Sequence, residues 1–470
     1  MHELPDRPGS RVTDLPPLDA TLLDGTLHRD LATRQRYATD AGRIATALPA
    51  AVLRPGSAGD VARVVAHCRH HGVPVAARGL GNTTGGQSLV PDGVVVDARD
   101  LAGVATIGAD HATVGAGATW LELARAADAH GLAIPVATGY LGLTVGGTLS
   151  VGGIPPAIAT GAQVDHVRAL EVVTGDGVLR RCSPSAEPEL FDAVLAGLGQ
   201  FGIITEATVG LVPAPARVRG YCIPYADPAA FFADLRTLVR RGEVSEVYGD
   251  WWRPGEAGEV HHLNAFVFAG AHEEVDDAHV LRGLSAAPGA ATVRESGYLE
   301  HVCRIDDAVA DLRAGLDWDA LDKPWVTVWL PDSRVEAVVA EVLADLTPYD
   351  VGAGGFVLLY SHHRAALTRP SLRLPAADGS ELVHLFTVMT AGPPGADAGF
   401  AEAMRERNRR IVERAVAAGG TRYPIGTVGY GPADWRTHYG DRWEHLAALK
   451  HRYDPAHVLA PGPAVFDPVR

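Results

Sequence analysis

Residues Arg78 to Gln87 read Arg-Gly-Leu-Gly-Asn-Thr-Thr-Gly-Gly-Gln and follow the β-like run Val73 to Ala77. Glycines at 79, 81, 85 and 86 let the chain adopt φ > 0 and bring backbone N–H groups close to a ligand. Successive N–H groups in such a loop make a concave nest for anionic oxygens, typically those of a pyrophosphate. A second glycine-rich stretch runs from Thr144 to Ile154, with hydroxyls at Thr144, Thr148 and Ser150 and a close approach allowed at Gly146, Gly147, Gly152 and Gly153. One such cluster alone reads equally well as tight packing. Two of them, each beside strand-like segments, point to a flat or phosphate-bearing ligand. Neither is a dinucleotide GxGxxG opening a helix with a following acid, and neither is a Walker loop, since the lysine is missing.

Composition sets the outer limits. The chain has 470 residues, 47% hydrophobic and 21% charged, which suits a soluble protein of two domains or more. A net charge of −15 argues against nucleic acid as a partner. There is no uninterrupted apolar run of about 18 residues, so no membrane span is expected. The N-terminus, Met-His-Glu-Leu-Pro-Asp-Arg-Pro, shows no secretory signal. Cys68, Cys182, Cys222 and Cys303 form no CxxC pair and read as core thiols of a cytoplasmic enzyme. His67 and His71 have metal-like spacing, but with no third ligand in view they read as side chains at a helix C-terminus. His362 and His363 are adjacent on a strand and must point to opposite faces, so only one can line a pocket. Trp251, Trp252, Trp325 and Trp329 could sandwich a flat substrate, and core packing at alternating strand positions is the competing account.

The elements that must position these residues are legible in outline. Residues 1–40 form a Pro- and Asp-rich arm. Ser57 to His71 has helical apolar spacing, with Ser57 as N-cap and Asp60 three residues on, a near match to a capping box. Val94–Val96 and Ala112–Val114 read as buried strands, and Thr119 to His130 as a helix stopped by Gly131. Leu170–Val173 and Val178–Arg181 flank a tight turn. A helix follows at Glu187–Ala196 and a strand at Ile203–Leu211, and Pro213 and Pro215 mark a boundary. Beyond it, strands at 266–268, 325–330, 356–360 and 384–389 mix with amphipathic helices, an α+β pattern with an antiparallel sheet.

The loop Arg78–Gln87 resembles the pyrophosphate loop of vanillyl-alcohol oxidase type (PCMH-type) flavoproteins, most closely that of cytokinin dehydrogenases. Thr144–Ile154, Leu170–Gly175, Gly197–Thr205, Pro324–Pro331 and Asp434–Gly440, then Trp443, Lys450 and Tyr453–Gly462, resemble cytokinin dehydrogenase segments in order. The resemblance covers about residues 45–466. It implies an α+β fold with a PCMH-type FAD-binding domain of two α/β subdomains, made of 1–212 (core about 45–212) and 415–470, and a substrate domain at 213–414. It implies FAD contacts at Arg78, Gly79, Gly81, Asn82, Thr83, Gln87, Thr144, Gly147, Ser150, Ile154, Ile204 and Tyr423. Tyr423 would also lie near the substrate.

Besides Ile154-Pro155-Pro156, which stands where the resemblance implies a more polar run, three single positions depart from the family. Asn82 replaces the histidine that links the flavin covalently, Gly139 replaces the aspartate that takes a proton from the substrate amine, and Pro463 replaces a glutamine that reaches the flavin. Losing a general base costs about 10²–10⁴ in rate, so a cytokinin is not the expected substrate. Glu246 and Asp250 lie near the family segment that gives the pocket an acidic residue, so with Tyr423 they are the candidate catalytic groups; exposed carboxylates at a strand end are the plainer reading. The resemblance implies oxidation of a small organic amine or alcohol, a secondary metabolite, by hydride transfer to non-covalently bound FAD. A redox-neutral cyclase or isomerase on the same scaffold is the alternative, and a binding protein that has lost FAD is a third reading. Substrate identity, electron acceptor and oligomeric state stay open.

Overall fold

A computed structural model describes residues 15–252, 260–287, 289–393 and 398–467, with 2, 3, 254 and 396 besides. The valine run Val94–Asp97 is buried at every position and forms the inside of a four-stranded sheet. Ala51–Arg54 and Val75–Arg78 flank it in parallel, and Thr26–His28 adds an antiparallel edge. Helix Ala58–His71 carries the chain from Ala51–Arg54 across to the parallel strand Val75–Arg78 on the other side of Val94–Asp97, burying Val61, Val64, Val65 and Cys68. Ser57 caps this helix as its spacing suggests. Asp60 does not complete the box; its carboxylate accepts the N–H groups of Asp24, Gly25 and Gly56, because burial makes three donors worth more than one. His67 at the helix end lies 3.2 Å from the Pro16 carbonyl through Nε2.

A five-stranded antiparallel sheet follows, in the order Leu179–Cys182, Val167–Val173, Ile203–Gly210, His111–Gly115, Val104–Ile107. Helix Trp120–Asp128 packs on it, with Thr119 and Glu122 forming a complete capping box. Part of the second glycine cluster is more regular than a turn: Val145–Leu149 is a short helix.

The largest sheet has eight strands, in the order Thr292–Gly297, Arg217–Tyr225, His261–Ala269, Glu246–Trp251, Phe356–His363, Leu382–Met389, Val326–Pro331, Thr421–Arg422. Helices Pro228–Arg241, Asp332–Asp345 and Ala398–Ala417 cover one face. Trp251, Val247, Leu263, Val357, Leu359 and Phe386 fill the core beneath them. Side chains alternate along a strand, so Glu246, Tyr248 and Asp250 face the other way. Phe266, Asn264 and His262 pair with them, as do Tyr360 and Leu358.

Val212–Pro213 pairs with Leu132–Ala133. Residue 415 lies inside helix Ala398–Ala417, and Thr421–Arg422 still pairs with Val328–Trp329. The chain leaves the large sheet only after Arg422, because an open sheet edge there needs a partner. It then returns to the first sheets: Val75 donates to the Val458 carbonyl, and Ala460 to that of Val75. No described helix is long and apolar enough to cross a membrane.

This return is stapled by a buried ion pair. Lys450 and Asp454 are 1% and 0% exposed, with Nζ 2.7 Å from Oδ2. Lys450 also donates to the Gln200 carbonyl, and Asp454 accepts the N–H groups of Val458 and Leu459. Removing one partner strands the other charge, so Lys450→Met should destabilise the protein by about 3–5 kcal/mol, read from denaturant midpoints. Lys450→Met/Asp454→Leu should cost less than the two single changes summed.

Candidate functional site

Strand Val75–Arg78 delivers the glycine loop to the surface of the first sheet. A Cβ at Gly79 would sit 2.1 Å from Thr144 Oγ1, so the two glycine clusters touch here and only glycine fits. Gly81 has φ +71°. From Leu80 to Thr84, no backbone N–H meets an acceptor among the described residues. A row of free donors in a loop that turns back on itself is a nest for anionic oxygens. The loop is rigid all the same, because Asp40 holds it from behind. This carboxylate, 3% exposed, accepts the Thr83 hydroxyl at 2.8 Å, the Gly86 N–H at 2.7 Å and the Gly42 N–H at 3.1 Å. Burial still pushes the Asp40 carboxyl above its usual range, against the pull of those bonds.

The Arg78 guanidinium packs against Gly81 in the loop and donates to the Thr39 carbonyl at 2.8 Å, over the ring of Tyr37. Burial lowers its pKa, with Asp40 the main opposing charge. It shapes the loop's foot. Gln87 accepts from Gly85 and donates to the Gly426 carbonyl, and Thr84 donates to that of Ile425, so the loop is tied to the returning chain. The Asn82 side chain is exposed and makes no hydrogen bond among the described residues.

Thr144 is buried and precedes helix Val145–Leu149, on which Gly147 is exposed. The Ser150 hydroxyl donates to the Gly146 carbonyl at 2.7 Å, and Ile154 and Ile204 are 6% and 5% exposed. The Gly153 N–H donates toward the Tyr423 hydroxyl, and burial raises that phenol's pKa. Tyr423 thus joins the second cluster to the large sheet, edge-on to Trp329. The Pro463 carbonyl accepts the Trp435 indole N–H at 2.8 Å.

Glu246 and Asp250 are not exposed strand ends; they are 3% and 7% exposed on the sheet face away from the helices. Period-two alternation and packing against the first sheets bury them. Glu246 Oε2 lies 2.9 Å from His301 Nε2 and 3.7 Å from Arg304 Nη2. Arg304 also donates to the His301 carbonyl. Asp250 Oδ2 accepts from Asn264 at 3.0 Å; Oδ1 has no aligned donor, with His262 Nδ1 at 3.3 Å. Burial raises the Asp250 carboxyl pKa. Trp251 and Trp329 are core residues, whereas Trp252 is 56% exposed and stacks on Phe356. His362 is fully buried and pushed down to about 3 by that burial, with Nδ1 on the Ala157 carbonyl.

Sequence reading missed Asp40, His301, Arg304, Tyr248 and Tyr360. The alternation that carries Glu246 and Asp250 also carries Tyr248 to this face, so that residue was within reach. Asp40 gave no local signal, since its partners at 83 and 86 lie more than 40 positions away.

Residues 49–183 match the family described as FAD binding domain, and residues 264–466 the family described as cytokinin dehydrogenase 1, FAD and cytokinin binding. An uncharacterized oxidoreductase of the fasciation locus of Rhodococcoides fascians is 32% identical over 441 residues, covering 94% of this chain and 99% of the relative. The chain belongs to the cytokinin dehydrogenase family. Cytokinin dehydrogenases 10 of Oryza sativa subsp. japonica and 8 of subsp. indica are 32% and 34% identical, covering 95% and 91% of this chain and 90% of each relative. This family member is therefore an FAD-dependent oxidoreductase, and the α+β, PCMH-type fold is its family's.

Asparagine at position 40 keeps one acceptor oxygen where the carboxylate serves three donors. Asp40→Asn should therefore weaken FAD binding about 10- to 100-fold, measured by flavin fluorescence quenching, while the far-ultraviolet circular dichroism stays native.

Proposed function

We propose that this protein binds FAD without a covalent bond and oxidises a small organic amine or alcohol other than a cytokinin. The run of free N–H groups from Leu80 to Thr84, with an exposed Asn82 inside it, carries the reading. Those donors suit the FAD pyrophosphate, and an asparagine amide has no nucleophilic nitrogen to bond the ring. In this reading Gly79, Gly81, Thr83, Gln87, Thr144, Gly147, Ser150, Ile154, Ile204 and Tyr423 border the cofactor, and Arg78 acts only through the loop it braces. FAD, when bound, supplies the hydride acceptor. Residues up to 213 with the chain after 422 would hold it, and the large sheet would close over the substrate.

The carboxylates divide the remaining work. Glu246 is spoken for by His301 and Arg304 and acts as a strut. Asp250 keeps one oxygen without an aligned donor, and its raised pKa favours taking up a proton. It is the proposed proton acceptor as the substrate's N–H or O–H is lost. Tyr423, held neutral by burial, orients the neighbouring glycines and carries no charge in the reaction.

Acid precipitation of the purified yellow protein should leave the flavin in the supernatant. Asn82→His should retain a measurable fraction with the pellet, because the side chain at 82 is exposed and free to reach a ligand in the nest; a wild-type chromophore that stays with the pellet contradicts the non-covalent reading. Asp250 must be ionised to accept a proton. The rate of anaerobic flavin bleaching should thus fall with decreasing pH, along a limb above the usual carboxylate range that Asp250→Asn abolishes. Substrate that leaves the flavin unbleached at every pH would contradict net oxidation.

A further inference from the structure

Solvent reaches the large sheet along one row on the face away from its covering helices. Phe356, Leu358 and Tyr360 keep accessible surface, while Val357 and Leu359 between them are buried. Tyr248 on the neighbouring strand is accessible too, with Glu246 two residues before it and Asp250 two residues after it on the same face.

Three groups at one end of this row have hydrogen-bond donors to spare. Arg304, on helix Tyr298–Leu316, lies over the Phe266 ring at 5.0 Å from its centroid, with 28% of its side chain exposed. Its Nη1 is used inside the helix, on the His301 carbonyl at 2.7 Å. Its Nη2 stays 3.7 Å from Glu246 Oε2, beyond hydrogen-bond length, and Glu246 finds its close partner in His301 at 2.9 Å. The Tyr248 hydroxyl is within hydrogen-bonding reach of the same guanidinium. Arginine can only donate, so the phenol oxygen accepts in that pair and the phenol proton has no acceptor among the described residues. Tyr360 stands beside Tyr248, 6.1 Å between ring centroids, and its hydroxyl makes no hydrogen bond among the described residues.

A guanidinium and two phenols facing one accessible place need lone pairs and favour negative charge. A carboxylate has two acceptor oxygens, and a guanidinium fork matches both. The strand supplies the opposite need further along. Asp250, two residues beyond Tyr248, keeps Oδ1 without an aligned donor. Two residues of extended strand span about 7 Å, close to the reach from a carboxylate across a benzene ring to a para benzylic nitrogen. The rings of Tyr248 and Tyr360 and the Leu358 side chain form the surface between the two ends.

We propose that Arg304, with Tyr248 and Tyr360, is a carboxylate-binding subsite, and that the substrate is an aromatic acid whose amine or alcohol lies across the ring, at Asp250. The inference rests on the FAD reading above and narrows its substrate to compounds that carry an acid group.

The test uses FAD-loaded protein under anaerobic conditions at neutral pH, titrated with 4-(aminomethyl)benzoate and 4-(aminomethyl)benzamide. The two probes share the amine and differ in charge at the far end, and the concentration dependence of the flavin absorbance change gives Kd. Wild type should bind the acid at least about tenfold tighter than the amide, the size of a charge-assisted hydrogen bond. Arg304→Gln should bring the two within about threefold of each other, while Arg304→Lys, which keeps the charge, should hold an intermediate ratio. Tyr248→Phe/Tyr360→Phe, which leaves Arg304 and Glu246 in place, should weaken the acid several-fold and the amide little. Flavin content and Tm like those of wild type show that each variant is folded. A yellow wild type that responds to neither probe or binds both alike would overturn the subsite alone. So would a folded Arg304→Gln variant, or a folded double tyrosine variant, that keeps the full preference for the acid. A protein that takes up no FAD on reconstitution overturns the functional reading and this inference with it.

Discussion

A single buried ion pair decides whether the two ends of this chain build one site. Lys450 and Asp454 lie on the last turn of helix Trp443–Tyr453 and just beyond it, both out of water. A charge so placed is tolerable only if every lone pair and proton is used. Asp454 meets that demand by taking the N–H groups of Val458 and Leu459, and Lys450 by reaching Gln200 and the Leu459 carbonyl. The segment after the helix is thereby pinned beside Val75, at the foot of the glycine loop. Gly462 then packs against the carbonyls of Gly86 and Gln87 and closes the loop's back. The nest keeps its shape because the returning chain is locked in place.

The same logic separates groups that work from groups that brace. Asp40, Glu246, Asp306 and Asp454 are carboxylates whose donors come from the protein itself. They hold loops and walls and have little capacity left for a ligand. Asp250 is the exception, with an oxygen left unaligned. Helix Tyr298–Leu316 is the strut between the halves, since it carries contacts to the segment 134–141 on one side and to Glu246 on the other. The spacing between the segment 134–141 and Glu246 is therefore set by one helix, not by loops.

Much of the fold was legible from residue pattern. The valine run at 94–96, the Ser57 cap, the Thr119 capping box and the turn at 174–177 are local features whose physics needs only neighbouring residues. The short helix Val145–Leu149 was hidden because glycines have poor helix propensity, and tertiary contacts with Ala116 and Ala118 override it. The burial of Glu246 and Asp250 was hidden for another reason. A carboxylate looks exposed until its partners are known, and His301 stands 55 residues away in sequence. Trp252 and Trp251, adjacent in sequence, have opposite fates because strand alternation sends one to the core and the other to solvent.

By itself, the sequence determined the family and the cofactor, and it set the residue types at Asn82, Gly139 and Pro463. Those rest on residue identity and on backbone freedom, which are properties of short segments. Only the tertiary structure decided which carboxylates are struts and that Gly139 lies against the Tyr360 hydroxyl. Hydrogen-bond satisfaction and burial are sums over groups brought together from distant parts of the chain. No local pattern encodes them.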